Sequence, residues 1–155
     1  MQAITTSDGA PPTDEAFHNC LYYFVKAIEV LAMESAAQCE AMGNVNVGWE
    51  LQHDAMDLGA ALVSWRGDYL APIEKNAIEQ LLAALAALPS GALSSLDNQA
   101  AMSHPAWIAL RAAAAELLVE LQYPIERTRN FFGQDIQGRS EKGPNDKGSE
   151  YNGSP

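Results

Sequence analysis

The stretch WELQHDAMD, residues 49–57, carries the densest set of side chains in this sequence that could do chemistry. Glu50, His53, Asp54 and Asp57 fall within eight positions. On a helix, which turns by about 100° per residue, these four side chains share one face, and the apolar residues of the stretch occupy the opposite face. Three carboxylates and an imidazole could hold a metal ion, transfer a proton, or bind a cationic partner.

A metal site is the first alternative. The spacing Glu50-x-x-His53 is that of one helix of a di-iron carboxylate protein, and Glu15-x-x-His18 repeats it. Such ligands must point into the interior of a bundle, whereas Glu50 and His53 point away from the apolar stripe of their own helix. No inward-facing glutamate is evident on the other helices. The sequence therefore predicts no metal ligands and no cofactor.

An acid–base site is the second alternative. His53 and Asp57 are four residues apart and could form a carboxylate–imidazole pair. No serine or cysteine nucleophile is evidently placed beside them, and no pattern brings Cys39 near His53. The chain also lacks a glycine-rich phosphate loop and a Cys-x-x-Cys motif. We predict no catalytic residues and expect that the protein is not an enzyme.

A partner-binding surface is the third alternative. Glu50, Asp54 and Asp57 recur at i, i+4 and i+7 with no lysine among them, so like charges repel along one ridge at a cost of a few tenths of a kcal/mol per pair. Trp49 lies beside this ridge, and an exposed tryptophan next to carboxylates is typical of a binding anchor. We predict that Trp49, Glu50, His53, Asp54 and Asp57 bind a partner. Two plainer interpretations stay open: a solvated acidic face, and a Trp49 that packs between helices.

The charge of the chain indicates what kind of partner. The formal net charge is −11, which repels nucleic acid and anionic membranes and attracts basic protein surfaces. Residues 14–65 contain eight acids and one base, a net charge of −7, whereas residues 66–132 have a net charge of −2. A basic protein, such as a toxin domain, is therefore the expected partner, and neither nucleic acid nor a membrane is expected.

Helices must position these residues. Alanine and leucine dominate, β-branched residues are sparse, and apolar residues recur every three or four positions. We predict an all-α fold, an antiparallel bundle of four main helices with a short fifth. The alternative is a less regular helical array, because the third loop is long enough for a crossover. The predicted single domain covers residues 13–132, between a disordered arm, 1–12, and a disordered polar tail, 133–155. The predicted helices cover 14–42, about 46–65, 72–88 and 105–123, with one or two further turns over 125–133 and a loop over 89–103.

These features support several functions. The leading hypothesis is a small acidic helical protein that inhibits a basic partner by occlusion, such as an immunity protein that neutralises a cognate bacterial toxin. The alternative is a homo-oligomeric bundle with a structural or small-ligand-binding role, formed as a homodimer through the alanine-rich third and fourth helices. A carboxylate and histidine metalloprotein is a third. A cytoplasmic location is expected, because neither a secretory signal nor a membrane-spanning apolar run is recognisable.

Overall fold

The chain folds into helices. A computed structural model describes residues 14–43, 45–94 and 96–142, with side chains through 133, and every regular element within these ranges is helical, which confirms the all-α prediction. The elements are α1 Asp14–Leu31, α2 Ser35–Met42, α3 Val47–Val63, α4 Pro72–Ala86, a 3-10 turn Ser90–Leu93, α5 Asn98–Met102, α6 Ala106–Glu120 and α7 Gln122–Lys142. Within the described residues, no helix has both the length and the apolar character that crossing a membrane requires. The predicted arm, 1–12, lies outside the described residues.

Four helices build the core of the first of two compact units, which ends at Gln122. Their contacts close a ring in the order α1, α3, α4, α6. Helices α1 and α3 are antiparallel, because Phe17 packs against Trp65 at one end and the Cys20 thiol reaches the Leu58 carbonyl further along. The antiparallel arrangement of all four helices stays a prediction.

The apolar stripes of these helices face the ring interior. Large, fully buried side chains come from α1, α3, α4 and α6, with Met102 of α5 and Leu121 after α6. Examples are Phe24, Ile28, Ile78, Leu85 and Trp107. Because the stripes were recognisable from a period of three to four residues, most of the core follows from the sequence.

The prediction of one continuous helix over residues 14–42 is wrong. Helix α1 ends at Leu31 and α2 begins at Ser35. The buried Gln38 explains the break, because its Nε2 donates to the carbonyls of Val30 (3.2 Å) and Leu31 (2.9 Å). Carbonyls in the last turn of a helix have no partner within it, and here a side chain from the next helix satisfies them.

The C-terminal helix is longer than predicted. The sequence predicts one or two turns after Pro124, whereas α7 extends from Gln122 to Lys142. Pro124 is the third residue of α7, and proline is tolerated in a first turn because the amides there have no helical partner. This helix belongs to a second compact unit that begins at Tyr123. The remainder of the predicted tail, 143–155, lies outside the described residues, and the predicted domain over 13–132 stays a prediction.

Gly48 marks the closest approach of α3 to the 3-10 turn. A Cβ atom at Gly48 would lie 2.6 Å from the carbonyl oxygen of Ala92 and 3.3 Å from the Trp107 ring. The same carbonyl accepts a hydrogen bond of 3.0 Å from the Trp107 indole, so it is not free to move away. Only glycine fits at this position without displacing the buried tryptophan.

We expect Gly48→Ala to lower the free energy of unfolding by about 1–3 kcal/mol, the usual cost of overpacking a filled core. Gly133→Ala is the matched control, because a Cβ atom there meets nothing within 4 Å and alanine favours a helix by up to about 1 kcal/mol. Urea unfolding followed by circular dichroism measures both. A Gly48→Ala variant as stable as the wild type would contradict this packing.

Candidate functional site

The start of α3 is fixed by two asparagines. The Asn46 side chain caps the helix by accepting a hydrogen bond from the Trp49 amide at 3.2 Å. Asn98, on α5, accepts from the Val47 amide at 3.1 Å and donates to the Val45 carbonyl at 2.8 Å. The first turn of α3, which carries Trp49, is therefore held by hydrogen bonds from both Asn46 and Asn98.

Trp49 and His53 form a stacked pair on the surface of α3. Their ring centroids are 3.7 Å apart with an interplanar angle of 24°, and 44% of Trp49 is exposed. His53 Nδ1 lies 3.0 Å from the Trp49 carbonyl oxygen. Since a carbonyl can only accept, Nδ1 carries the proton, and in the neutral ring Nε2 presents a lone pair. The pair forms a partly exposed aromatic platform, which does not support the interpretation that Trp49 packs between helices.

Three carboxylates lie on the same helix as this platform. Asp54 and Asp57 are exposed and Glu50 is half-buried. Glu50 lies in the first turn of α3, where the helix dipole favours an acid. Among the described residues, no cationic group lies within 4.0 Å of these carboxylates. We call Trp49, Glu50, His53, Asp54 and Asp57 the α3 acidic surface.

The single base between Asp14 and Trp65 does not neutralise this surface. Lys26 lies on α1, where its Nζ is 3.6 Å from a Glu29 carboxylate oxygen and 5.4 Å from the centre of the Tyr22 ring. A local ion pair and an aromatic contact therefore already engage its charge. The acids of α3 therefore have no ion-pair partner among the described residues.

The repeated Glu-x-x-His pattern does not assemble into one site. Glu15 is exposed while His18 is buried, so the two side chains of the first pair differ in environment. Glu50 and His53 lie on the outer side of α3 and not in the ring interior. No cluster of three or more metal-ligating side chains occurs among the described residues.

The two cysteines are free thiols in different environments. Burial raises the pKa of Cys20 to about 11. Burial also raises the pKa of Cys39, with a smaller effect in the same direction from Asp97 and an opposing one from Arg111. A thiol with a raised pKa is a poor nucleophile near neutral pH, so neither cysteine has the environment of a catalytic one.

Sequence reasoning missed two arrangements. The first is the Trp49–His53 stack, for which the i, i+4 spacing was a signal that the two side chains are neighbours but not that their rings stack. The second is a half-buried guanidinium: Arg111 donates to the Gln38 side chain from Nε (3.2 Å) and Nη2 (3.0 Å), and Nη2 also donates to the Met102 carbonyl. The sequence feature that could have indicated this arrangement is the position of Arg111 among the alanines and leucines of α6.

No protein-family model matches this chain, and neither the curated proteins nor the solved structures compared with it give a significant match.

We expect Cys39 to react with iodoacetamide at about pH 8 at least tenfold faster than Cys20. Cys20 is buried, and its raised pKa leaves only a small fraction of it as the reactive thiolate at this pH. Peptide mass spectrometry over a time course measures the two rates. In urea, where the chain is unfolded, the rates should converge. Equal rates in the folded protein would contradict the burial of Cys20.

Proposed function

We propose that this protein binds a basic protein through the α3 acidic surface and inhibits it by covering its cationic site. The observation that carries the proposal is the exposed Trp49–His53 stack on the same helix as three carboxylates that have no ion-pair partner among the residues that the structure describes. Large aromatic anchors surrounded by charge are frequent at the centres of protein interfaces.

The hydrogen-bonding character of this surface supports a cationic partner. The carboxylates of Glu50, Asp54 and Asp57 can only accept when ionised, and in the neutral form of the His53 ring Nε2 accepts as well. A partner must therefore supply donors, which lysine and arginine do. Arginine fits better, because its planar guanidinium can stack on the indole of Trp49 while its N–H groups bind a carboxylate.

Occlusion explains how such binding would inhibit. An enzyme that acts on nucleic acid or on a nucleotide must hold an anionic substrate with basic side chains, and an acidic surface competes for those side chains. A bacterial toxin of this kind, neutralised by a cognate immunity protein, is the form of partnership that we propose. The acids would then stand in for substrate phosphates.

The charge distribution also supports rapid capture. Residues 14–65, which contain α1, α2 and α3, carry a net charge of −7 out of −11 for the chain and contribute most of its negative field. Such a field raises the association rate with a basic partner by up to several orders of magnitude at low salt. Screening shortens its reach to about 8 Å at physiological ionic strength, so binding should weaken as salt is raised.

The test is affinity capture from a native lysate with a stepwise salt elution. The wild-type chain should retain a basic protein at low salt, and the variant Glu50→Gln, Asp54→Asn, Asp57→Asn should lose it, with at least about a tenfold loss of affinity for three removed charges. These neutral replacements keep the shape of each side chain. Circular dichroism verifies that the variant is folded.

A matched control removes the same charge from other helices. Glu79 on α4 and Glu116 and Glu120 on α6 are exposed, so Glu79→Gln, Glu116→Gln, Glu120→Gln changes the net charge equally. The control should retain the partner. Equal losses in both variants would show that only net charge matters, and an unchanged α3 variant would overturn the proposal.

A further inference from the structure

Helix α6 is apolar on two opposite sides. Its inner side is buried in the core through Trp107, Leu110, Ala114 and Leu117. Its outer side carries Ile108, 66% exposed, and Val119, 70% exposed, with the exposed alanines 112 and 115 between them. A helix on the surface of a single chain normally turns polar residues outward, so an apolar outer side indicates a contact outside the chain.

The order of these four residues is symmetric along the helix. Ile108, Ala112, Ala115 and Val119 follow the spacing i, i+4, i+7, i+11, so they line one stripe about 16 Å long. The sequence of sizes is large, small, small, large. When two such stripes meet in antiparallel orientation, each Ile108 faces a Val119 and each Ala112 faces an Ala115. A two-fold interface requires this self-complementarity, because both partners contribute the same surface.

The charges of the chain favour a second copy on this side. The stripe contains no charged residue, although the exposed Glu116 and Glu120 lie on the same helix, and the acids are concentrated on residues 14–65. Helix α6 stands opposite α3 in the ring, because α3 contacts α1 and α4 and the same two helices contact α6. Two copies that meet through α6 would therefore keep their α3 acidic surfaces apart, which lowers the repulsion between these two surfaces.

We propose that the outer stripe of α6, residues Ile108, Ala112, Ala115 and Val119, forms a two-fold antiparallel interface with a second copy of this chain. The alanines allow the two helices to approach to about 8 Å, the close end of the usual range. One helix stripe is smaller than the roughly 800 Å² per partner of a standard interface, so the dimer is a weak one that forms in the micromolar range. The dimer presents two α3 acidic surfaces on opposite sides.

Sedimentation velocity of the full chain at about 1–500 µM, in 0.15 M salt to screen the net charge, tests this proposal. The mass of the wild type should rise with concentration from 16.7 kDa toward twice that value. Ala115→Glu places a charge in the centre of the interface and should raise the dissociation constant at least about tenfold. Ala83→Glu, an equally exposed alanine on α4, is the control and should dimerise like the wild type.

Two results would overturn the proposal: a wild type that stays monomeric over the whole range, or an Ala115→Glu variant that dimerises like the wild type. Ala115 is exposed, so the variant should keep its fold, and circular dichroism verifies this. The Glu50, Asp54 and Asp57 variant should dimerise normally. Failure of the dimer and failure of the acidic surface are therefore separate outcomes.

Discussion

The fold depends on one buried polar contact, between Gln38 and Arg111. Gln38 is fully buried, and its amide closes the end of α1 while its oxygen accepts from the guanidinium of Arg111 on α6. Arg111 also reaches the Met102 carbonyl on α5, so two side chains connect α1, α2, α5 and α6. Loss of either partner would leave buried groups unsatisfied, at about 1–3 kcal/mol each. The Gln38 amide thereby determines where the chain turns after α1.

Most of the ring could be predicted from the sequence, because its helices carry regular apolar stripes and recognisable ends. Asn46 and Pro72 mark the starts of α3 and α4 as predicted. The break after Leu31 could not be predicted, since the chain there contains no proline or glycine and its composition stays helical. What ends α1 is a tertiary hydrogen bond from Gln38, and no local pattern reports such a bond.

The sequence indicates which residues lie on the candidate surface, but it says less about how their side chains are arranged. The helical spacing of Glu50, Asp54 and Asp57 was sufficient to place them on one face, because position on a helix depends only on residue number. The stacking of Trp49 on His53 depends on side-chain rotamers, which sequence alone does not determine. For α6 the sequence indicated an alanine-rich face that could pair with a second copy, but not that Ile108 and Val119 lie on its exposed side.

The central claim is that the surface around Trp49 receives cationic groups. The most direct test follows the three indole N–H signals of the 15N-labelled protein by NMR during titration with an arginine-rich peptide at low salt. Trp107 is fully buried and Trp65 is 8% exposed, so both serve as internal references for the 44% exposed Trp49. If cationic groups bind there, the Trp49 signal should show a saturable shift that is absent in the Glu50, Asp54 and Asp57 variant. A Trp49 signal that does not move, or that moves equally in the variant, would contradict it.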